Sequence, residues 1–184
     1  MKAKDVRKGK VILHNKSPYK VMEFMHVTPG KGNAVVQTKL RNLITGLQTE
    51  VRFGSTEDID EADVYSFTAT YLYDDAEGYH FMHKENYDQI MLTKEQIADQ
   101  VYYLQPEMEV MVTLFNEEPI GIQLPPTVTL TVTDCPPDLK GATATNSPKP
   151  ATTDTGLQVN VPSFIKIGEK IIVNTEEGSY VSRA

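Results

Sequence analysis

Short runs of apolar residues alternate with turn residues in the first third of the chain. β-branched and aromatic residues fill these runs, and Asn, Pro, Gly or Ser bounds each of them. Runs of this kind predict antiparallel strands. The predicted strands cover residues 10–14, 19–25, 34–40 and 48–53. Asn15-Lys16-Ser17-Pro18 and Thr45-Gly46 supply turns between them. We therefore expect a first β domain, which ends near residues 59–63, where the sequence becomes acidic.

A second strand series follows this acidic stretch. It comprises residues 64–73, 79–83, 109–115 and 119–124. Between the second and third of these strands, residues 93–104 carry a helical pattern. Thr93 and Gln96 have the spacing of a capping box, which marks the beginning of a helix. A small barrel with one helix bridging its strands is the outline of an OB-fold.

A third series begins after Pro125-Pro126. Its predicted strands cover residues 127–134, 158–162, 170–174 and 179–182. Between the first two of these strands, residues 141–155 are rich in Thr, Ala and Pro. Such a composition is compatible with a disordered linker. We favour a loop within one domain, because the tail that follows has too few strands to fold alone.

Length and composition limit the class of protein. A chain of 184 residues predicts one or two domains, or three if the domains are small barrels. The sequence has no apolar run near the roughly 18 residues that span a bilayer, and its beginning lacks the apolar stretch of a signal peptide. The single cysteine, Cys135, fits a reducing compartment. We expect a cytoplasmic protein that is not associated with membranes.

The charge is distributed unevenly along the chain. The net charge is -7, but residues 1–54 contain eleven lysines and arginines against three acids, a local net charge of +8. The remaining residues therefore carry -15. The alternative interpretation is that individual lysines only solvate strand faces. Taken together, the basic head predicts contact with a polyanion such as RNA, and the acidic body keeps the chain soluble or orients the head by repulsion.

The break between the second and third strands, Thr28-Pro29-Gly30-Lys31-Gly32-Asn33, contains the position of greatest interest. Pro29 restricts its own φ, and glycine tolerates positive φ, so the segment reads as a tight hairpin tip. Asn-Gly or Asp-Gly would suffice for a turn alone. A long cation between two glycines adds nothing that the turn requires. We infer that Lys31 serves a contact outside its own domain.

Other candidate chemistry is weak. A phosphate-binding loop needs an earlier glycine and a Ser or Thr after the lysine, where this chain has Met25 and Gly32. His80 and His83 are three residues apart on a predicted strand and point to opposite faces, so we expect no metal site. Cys135 has no base paired with it in the sequence pattern. The aromatic residues that alternate between Tyr65 and Phe81 indicate a core, with RNA stacking as the alternative.

The sequence closely resembles the bacterial elongation factor P family over essentially its whole length. The resemblance rests on four segments. They are Thr28-Pro29-Gly30-Lys31-Gly32-Asn33-Ala34, Lys39-Leu40-Arg41-Asn42-Leu43-Ile44-Thr45-Gly46, Thr70-Tyr71-Leu72-Tyr73, and the stretch from Lys149 to Pro162 with the ending Gly178-Ser179-Tyr180-Val181-Ser182-Arg183.

The resemblance implies an all-β fold of three small barrels in an L shape. An N-terminal SH3-like (KOW-type) barrel would cover residues 1–64. Two OB-fold domains would follow, over residues 65–126 and 127–184. No catalytic residue, metal or cofactor is implied, and the protein would act as a monomer.

The resemblance also implies a function. A family member would bind both subunits of the ribosome beside the P-site peptidyl-tRNA and promote peptide-bond formation at consecutive prolines. Lys31 matches the tip lysine, which a modifying enzyme lengthens in many relatives, and Pro29, Gly30, Gly32 and Asn33 form its loop. The tRNA- or ribosome-binding residues would be Lys39, Arg41, Tyr180 and Arg183. The loop near the mRNA and the small subunit would contain Gly141, Thr143 and Thr145.

Two alternatives stay open at the level of the sequence. One is a diverged RNA-binding factor of the same fold that acts on other stalling motifs. The other is an OB-fold enzyme or small-ligand binder, for which the sequence identifies no convergent polar pocket. Many relatives have Asp where this chain has Ala142, so the mRNA contact of that loop can differ here.

Overall fold

The computed structural model describes residues 1–137 and 147–184 of the chain. Within these two ranges the strands form three antiparallel sheets of five strands each. Each sheet encloses its own cluster of buried apolar side chains. The all-β class and the three small curled sheets predicted from the sequence are confirmed. The L-shaped arrangement and the domain boundaries stay predictions.

The first sheet is a meander, with the order β4-β3-β2-β1-β5. Its strands are β1 (Val11–His14), β2 (Ser17–Val27), β3 (Val35–Asn42), β4 (Gln48–Gly54) and β5 (Asp60–Glu61). The first four lie where the sequence pattern predicts them. The two-residue β5 was not predicted, because its acidic residues have none of the apolar character of a strand.

Strand β3 shows why the sequence pattern works in this sheet. Side chains alternate between the two faces of a strand, and here every second residue from Val36 to Asn42 is buried. Thr38 is one of these, and its hydroxyl donates to the Val51 carbonyl (2.8 Å). The alternate residues, including Lys39 and Arg41, point away from the core.

The second sheet has the strand order β10-β9-β6-β7-β8. Its strands are β6 (Val64–Asp74), β7 (Tyr79–His83), β8 (Gln89–Leu92), β9 (Glu109–Phe115) and β10 (Glu118–Gln123). The core contains Phe67, Tyr71, Tyr79 and Phe81, so four of the six alternating aromatic residues are core residues, as predicted. Tyr65 and Tyr73 are exposed.

The helix predicted over residues 93–104 is present only at its beginning. The capping box is confirmed: the Thr93 hydroxyl accepts from the Gln96 amide, and the Gln96 side chain accepts from the Thr93 amide. Helix α1 covers only Lys94–Ile97, because Ala98 has φ 50° and ψ -130°. A 3-10 helix, Ala98–Tyr103, follows. Among the described residues, no helix is long and apolar enough to cross a membrane.

Helix α1 ends early because the residues at its end and after it are buried in two different cores. Ile97 and Leu104 are buried in the core of the second sheet, whereas Tyr103 is buried in the core of the third. The Gln96 and Gln100 side-chain amides also donate to the carbonyls of Pro119 and Ile122 (2.8 and 3.1 Å). These tertiary contacts outweigh the local helical preference.

The third sheet repeats the strand connectivity of the second, in the order β13-β12-β11-β14-β15. Its strands are β11 (Thr127–Asp134), β12 (Lys149–Thr153), β13 (Gln158–Val161), β14 (Lys170–Asn174) and β15 (Ser179–Arg183). Strand β12 lies within residues 141–155, so the prediction of a loop is wrong for 149–153. The strand forms because Ala151 and Thr153 alternate into the core.

The second and third sheets are coupled, whereas the first is more separate. Met108 and Leu124 pack against the cores of both the second and the third sheet. The Thr155 hydroxyl, in the third, donates to the Tyr102 carbonyl (2.5 Å). Among the described residues, the core of the first sheet shares no member with the other two.

Candidate functional site

The hairpin of β2 and β3 carries the predicted tip loop. Val27 and Val35 form the last residue pair of the hairpin, and the chain between them leaves the sheet. The Ser55 amide donates to the Ala34 carbonyl (2.9 Å), which ties the end of the loop to the chain after β4. Thr28 to Asn33 are all exposed. The structure thus presents the predicted tip segment at the end of a long, paired hairpin.

The two glycines of the loop differ in conformation. Gly32 has φ 116°, a region that favours glycine, whereas the φ of Gly30 is not positive. A Cβ placed on Gly32 would lie 3.8 Å from Cγ of Pro29, an ordinary contact. The backbone conformation therefore accounts for the glycine at position 32. Nothing within the loop accounts for the glycine at position 30.

The Lys31 ammonium group has no hydrogen-bond or ion-pair partner among the described residues. The side chain is exposed, and within the described part of the chain no hydrogen bond or ion pair involves its ammonium group. The loop itself contains no acid that could hold this group. The charge is therefore available to a molecule outside the protein, and a functional contact of Lys31 stays a prediction.

Lys39 and Arg41 lie on β3 behind the tip, but their surroundings differ. The Lys39 ammonium is 3.0 Å from a carboxylate oxygen of Glu23, its cross-strand partner. The hydrogen bond and charge of Glu23 raise the pKa of Lys39. Arg41 is half-buried beside a cleft at which all three sheets meet. Arg41 thus lies at a junction, and Lys39 has a carboxylate partner.

The first sheet is less basic than residues 1–54 suggest. Four acids and no lysine or arginine lie at 55–61, so the net charge falls from +8 over residues 1–54 to +4 over residues 1–61. Strand β5 lies within this acidic segment. Lys2 pairs with Asp58 and Lys10 with Glu61. The first sheet therefore carries less positive charge than residues 1–54 alone, because the acids at 55–61 belong to the same folded unit.

Tyr180 and Arg183 lie together on β15 at the far end of the chain. Tyr180 is half-buried against the core of the third sheet. The Arg183 guanidinium is 2.8 Å from a carboxylate oxygen of Glu169 and 5.0 Å from the centre of the Phe164 ring. The remaining predicted site residues, Gly141, Thr143 and Thr145, lie outside the described residues.

Sequence reasoning missed the carboxylate partners Glu23 and Glu169. Glu23 could have been found from the hairpin register, because opposite charges on neighbouring strands tend to pair. Glu169 lies in a connection between strands, and no short-range pattern links it to Arg183. The histidines considered as metal ligands are separate: His80 stacks on Tyr73, and His83 stacks on Phe67.

Fold and site together define a class of protein. It is an all-β chain of three small units, two of which share one strand connectivity of the OB type. An exposed lysine lies at a hairpin tip of its first unit. Within the described residues, no group of three or more histidines, cysteines or acids could hold a metal ion.

Comparison with known families identifies the chain. The KOW-like domain of elongation factor P matches residues 2–59, its OB domain matches residues 65–122, and its C-terminal domain matches residues 128–183. The chain belongs to the elongation factor P family. The members of this family are translation factors and not enzymes.

Individual relatives agree with this assignment. The elongation factor P of Acidithiobacillus ferrooxidans is 45% identical over 180 residues, which cover 98% of this chain and 97% of that protein. The elongation factor P of Petrotoga mobilis is 42% identical, with the same coverage of both chains. The resemblance proposed from the sequence is confirmed.

One solved structure supports the fold alone. It is described as eukaryotic translation initiation factor 5A from Methanococcus jannaschii, and it covers 67% of this chain and 93% of its own. The TM-score is 0.53 and the sequence identity is 14%. At this identity the likeness concerns the arrangement of strands.

Proposed function

We propose that this translation factor binds the ribosome beside the P-site tRNA and promotes peptide-bond formation at consecutive prolines. The observation that carries the proposal is the exposed ammonium of Lys31, which no described residue engages, at the end of a paired hairpin. A cation in this position can contact ribose and phosphate groups near the CCA end of the tRNA.

The mechanism needs orientation and no acid or base from this chain. The ring of proline hinders its approach as a nucleophile, so the reaction depends strongly on the pose of the peptidyl-tRNA. Holding two reactants in a productive geometry can remove much of the entropic part of a barrier. Lys31 would supply this restraint at the tip, while Pro29, Gly32 and Asn33 hold the loop that presents it.

The other predicted contacts belong to the same proposal. Arg41 and Lys39 would follow the tRNA backbone, with Lys39 released from Glu23 on binding. Tyr180 and Arg183 would contact tRNA or ribosome from the third unit. Gly141, Thr143 and Thr145 would lie near the mRNA and the small subunit. The factor would act in the cytoplasm as a monomer.

A modified Lys31 is part of the proposal. The side chain is exposed, so a modifying enzyme can reach it without unfolding the loop. An amino-acyl or amino-alkyl extension would lengthen the reach of the cation. Intact-mass measurement of protein purified from its own cells tests this point. A mass equal to that of the bare chain, in a sample active at proline stalls, would show that modification is not required.

Translation of a reporter with three consecutive prolines tests the role of the tip. We expect ribosomes to stall without the factor, wild-type protein to relieve the stall, and Lys31→Ala to lose most of this effect. Lys16→Ala is the matched control, because Lys16 is also an exposed lysine in a hairpin turn of the first sheet. Full relief by Lys31→Ala would contradict the proposal.

A panel of stalling sequences separates this function from its alternative. Relief confined to reporters without consecutive prolines would indicate a diverged factor of the same fold. The panel uses the same protein and the same ribosomes, so differences between reporters report on the stalled sequence.

A further inference from the structure

A cleft between the second and third sheets is lined by aromatic rings and carboxylates. Its volume is about 400 Å³. Tyr71, Tyr73 and Tyr79 supply the rings from β6 and β7, and Asp74 lies at the end of β6. Asp154 enters from the turn between β12 and β13. The cleft thus has a carboxylate from each of the two units that form it.

The Tyr79 hydroxyl opens into this cleft without a partner. Tyr79 is only 6% exposed, and the described residues provide no hydrogen bond to its hydroxyl. Within the same part of the chain, no fully enclosed side-chain nitrogen or oxygen lacks a partner. The hydroxyl therefore keeps some exposed surface, and this cleft is the open space that Tyr79 lines. By contrast, the Tyr71 hydroxyl donates to Asp74 (2.9 Å).

The cleft has a negative character. No lysine or arginine is among the described residues that line it. Burial raises the pKa of Tyr71 and Tyr79, and the nearby Asp74 carboxylate raises it further in both. A phosphate or other anion would be repelled by this carboxylate, whereas a cation would be attracted.

A primary ammonium group fits this set of neighbours. It has three hydrogen-bond donors and no acceptor. The Tyr79 hydroxyl can accept one bond, the Tyr71 hydroxyl has lone pairs left after donating to Asp74, and Asp74 can accept another. Tyrosine ring faces also attract cations. Val101 and Leu104 provide apolar wall for methylene groups.

We propose that this cleft binds a primary alkylammonium group, and that an aliphatic diamine is the simplest ligand that can contact both of its carboxylates, which within the protein accept only from the Tyr71 hydroxyl and the Thr131 amide among the described residues. One ammonium group contacts Asp74 and the tyrosine hydroxyls, and the second contacts Asp154. The chemistry is shared by free diamines and by a lysine side chain of a partner polypeptide, which presents one ammonium group on an aliphatic chain.

A second cleft in the molecule provides an internal comparison. It lies where the three sheets meet, and it is lined by Tyr103, which is 8% exposed, and by Asp99. The described residues give the Tyr103 hydroxyl no hydrogen bond either. This cleft, however, contains the cations Lys20 and Arg41. Glu95, Glu176 and Glu177 line it as well, so unlike the first cleft it combines carboxylates with cations among its described lining residues.

Calorimetric titration with 1,4-diaminobutane tests the proposal on the full-length protein. We expect saturable binding of one molecule, weakened about tenfold or more by Asp74→Asn and by Tyr79→Phe. Asp74→Asn removes the negative charge and Tyr79→Phe removes the hydroxyl, each with little change in shape. Tyr103→Phe and Asp99→Asn remove the same groups from the other cleft and should bind as wild type does. Unchanged binding in both Asp74→Asn and Tyr79→Phe would overturn the proposal.

Two further titrants show whether binding depends on the charge of the ligand or on its shape, and whether the ligand is a free diamine or a lysine side chain. 1,4-Butanediol has a similar length and no charge, so equal binding of this diol would overturn the proposal. Saturable binding of N-acetyl-lysine methylamide, with the same loss in Asp74→Asn, would assign the site to a lysine side chain. Binding of the diamine alone would assign it to free diamines. If neither amine binds, the proposal is wrong, and thermal unfolding of each variant shows whether the fold is intact.

Discussion

Ion pairing distinguishes Lys31 from several other cations of the first sheet. Lys2, Lys8, Lys10 and Lys39 each pair with a carboxylate in the described structure. These pairs are exposed to solvent, so each contributes little to stability. They nevertheless reduce the positive charge that the surface offers to an anionic partner. The ammonium of Lys31 has no such partner among the described residues, and the tip loop contains no acid.

The two tip glycines should respond differently to substitution. Gly32→Ala forces a side chain into positive φ at a cost of about 1–2 kcal/mol, so the loop should change its path and redirect Lys31. We expect Gly32→Ala to lower relief of the triple-proline stall severalfold. Gly30→Ala is the matched control, because its φ is not positive and a Cβ would meet no atom within 4 Å.

The activity of Gly30→Ala shows whether a binding partner approaches the backbone closely at residue 30. Activity equal to that of wild type would agree with the geometry of the free protein. A loss as large as that of Gly32→Ala would mean that RNA approaches the backbone closely at residue 30. If Gly32→Ala retains full activity, the conformation of the loop does not position Lys31.

At the scale of secondary-structure elements, the sequence predicts strands with regular apolar alternation better than strands with an irregular composition. Most strands, such as β3, follow the alternation that a half-buried sheet requires. Strand β12 was missed because Pro150 and a run of threonines resemble a loop, although Ala151 and Thr153 face the core. Pairing between distant segments decides such cases, and a single sequence does not display it.

The exposed tip loop of the candidate site is visible in the sequence, whereas its contacts between distant residues are not. The tip loop is a local feature, so its turn residues and Lys31 could be read directly from the sequence. The pairing of Arg183 with Glu169 and the cleft lined by Tyr79 and Asp154 depend on how separate strands and units meet. Local patterns contain no information about such contacts.

The break after α1 predicts a stabilising substitution. Ala98 adopts φ 50° and ψ -130°, a combination that costs a residue with a Cβ about 1–3 kcal/mol. Ala98→Gly should remove this strain, and after the entropy cost of glycine we expect a gain of about 1 kcal/mol in the free energy of unfolding. Urea denaturation measures the change.

Ala76→Gly is the control for this substitution. Ala76 also lies in a connection between elements, but its φ is not positive. Glycine there adds only flexibility to the unfolded chain and should lower stability by about 0.5 kcal/mol. A loss of similar size for Ala98→Gly would show that position 98 is not strained.

Gly78 is required by close packing between strands. A Cβ on this residue would lie 2.4 Å from the Leu92 carbonyl oxygen. Backbone of β7 or β8 would have to move, so Gly78→Ala should destabilise the protein by about 1–3 kcal/mol. Gly121→Ala, in the same sheet with no atom within 4 Å of the added carbon, should change stability by less than about 0.5 kcal/mol. Equal effects of the two changes in urea denaturation would contradict this reading.

At the scale of the whole molecule, the three cores should not unfold as one. The second and third share Met108 and Leu124 at their boundary, whereas the described part of the first shares no core residue with either. Lys8 and Glu176 form an exposed ion pair between the first and third units (3.2 Å). Such a pair is worth at most about 1 kcal/mol.

Matched leucine substitutions test this division. Leu40 in the first core and Leu130 in the third are both fully buried. Each change to alanine should destabilise its own unit by about 2–5 kcal/mol. Amide hydrogen exchange should show that Leu40→Ala weakens protection only in the first unit, while Leu130→Ala weakens it in the third and also in the second. Loss of protection throughout the molecule in both variants would indicate a single cooperative unit.

Because the hairpin of β2 and β3 is long, a small rotation where the units meet would move its tip by a large distance. Eleven residues of strand extend about 36 Å, so a rotation of about 10° at the base of the first unit would displace its tip by about 6 Å. Such a displacement is comparable to the length of a lysine side chain. A small rotation of the first unit at the junction would therefore move the Lys31 ammonium about as far as its own side chain can reach.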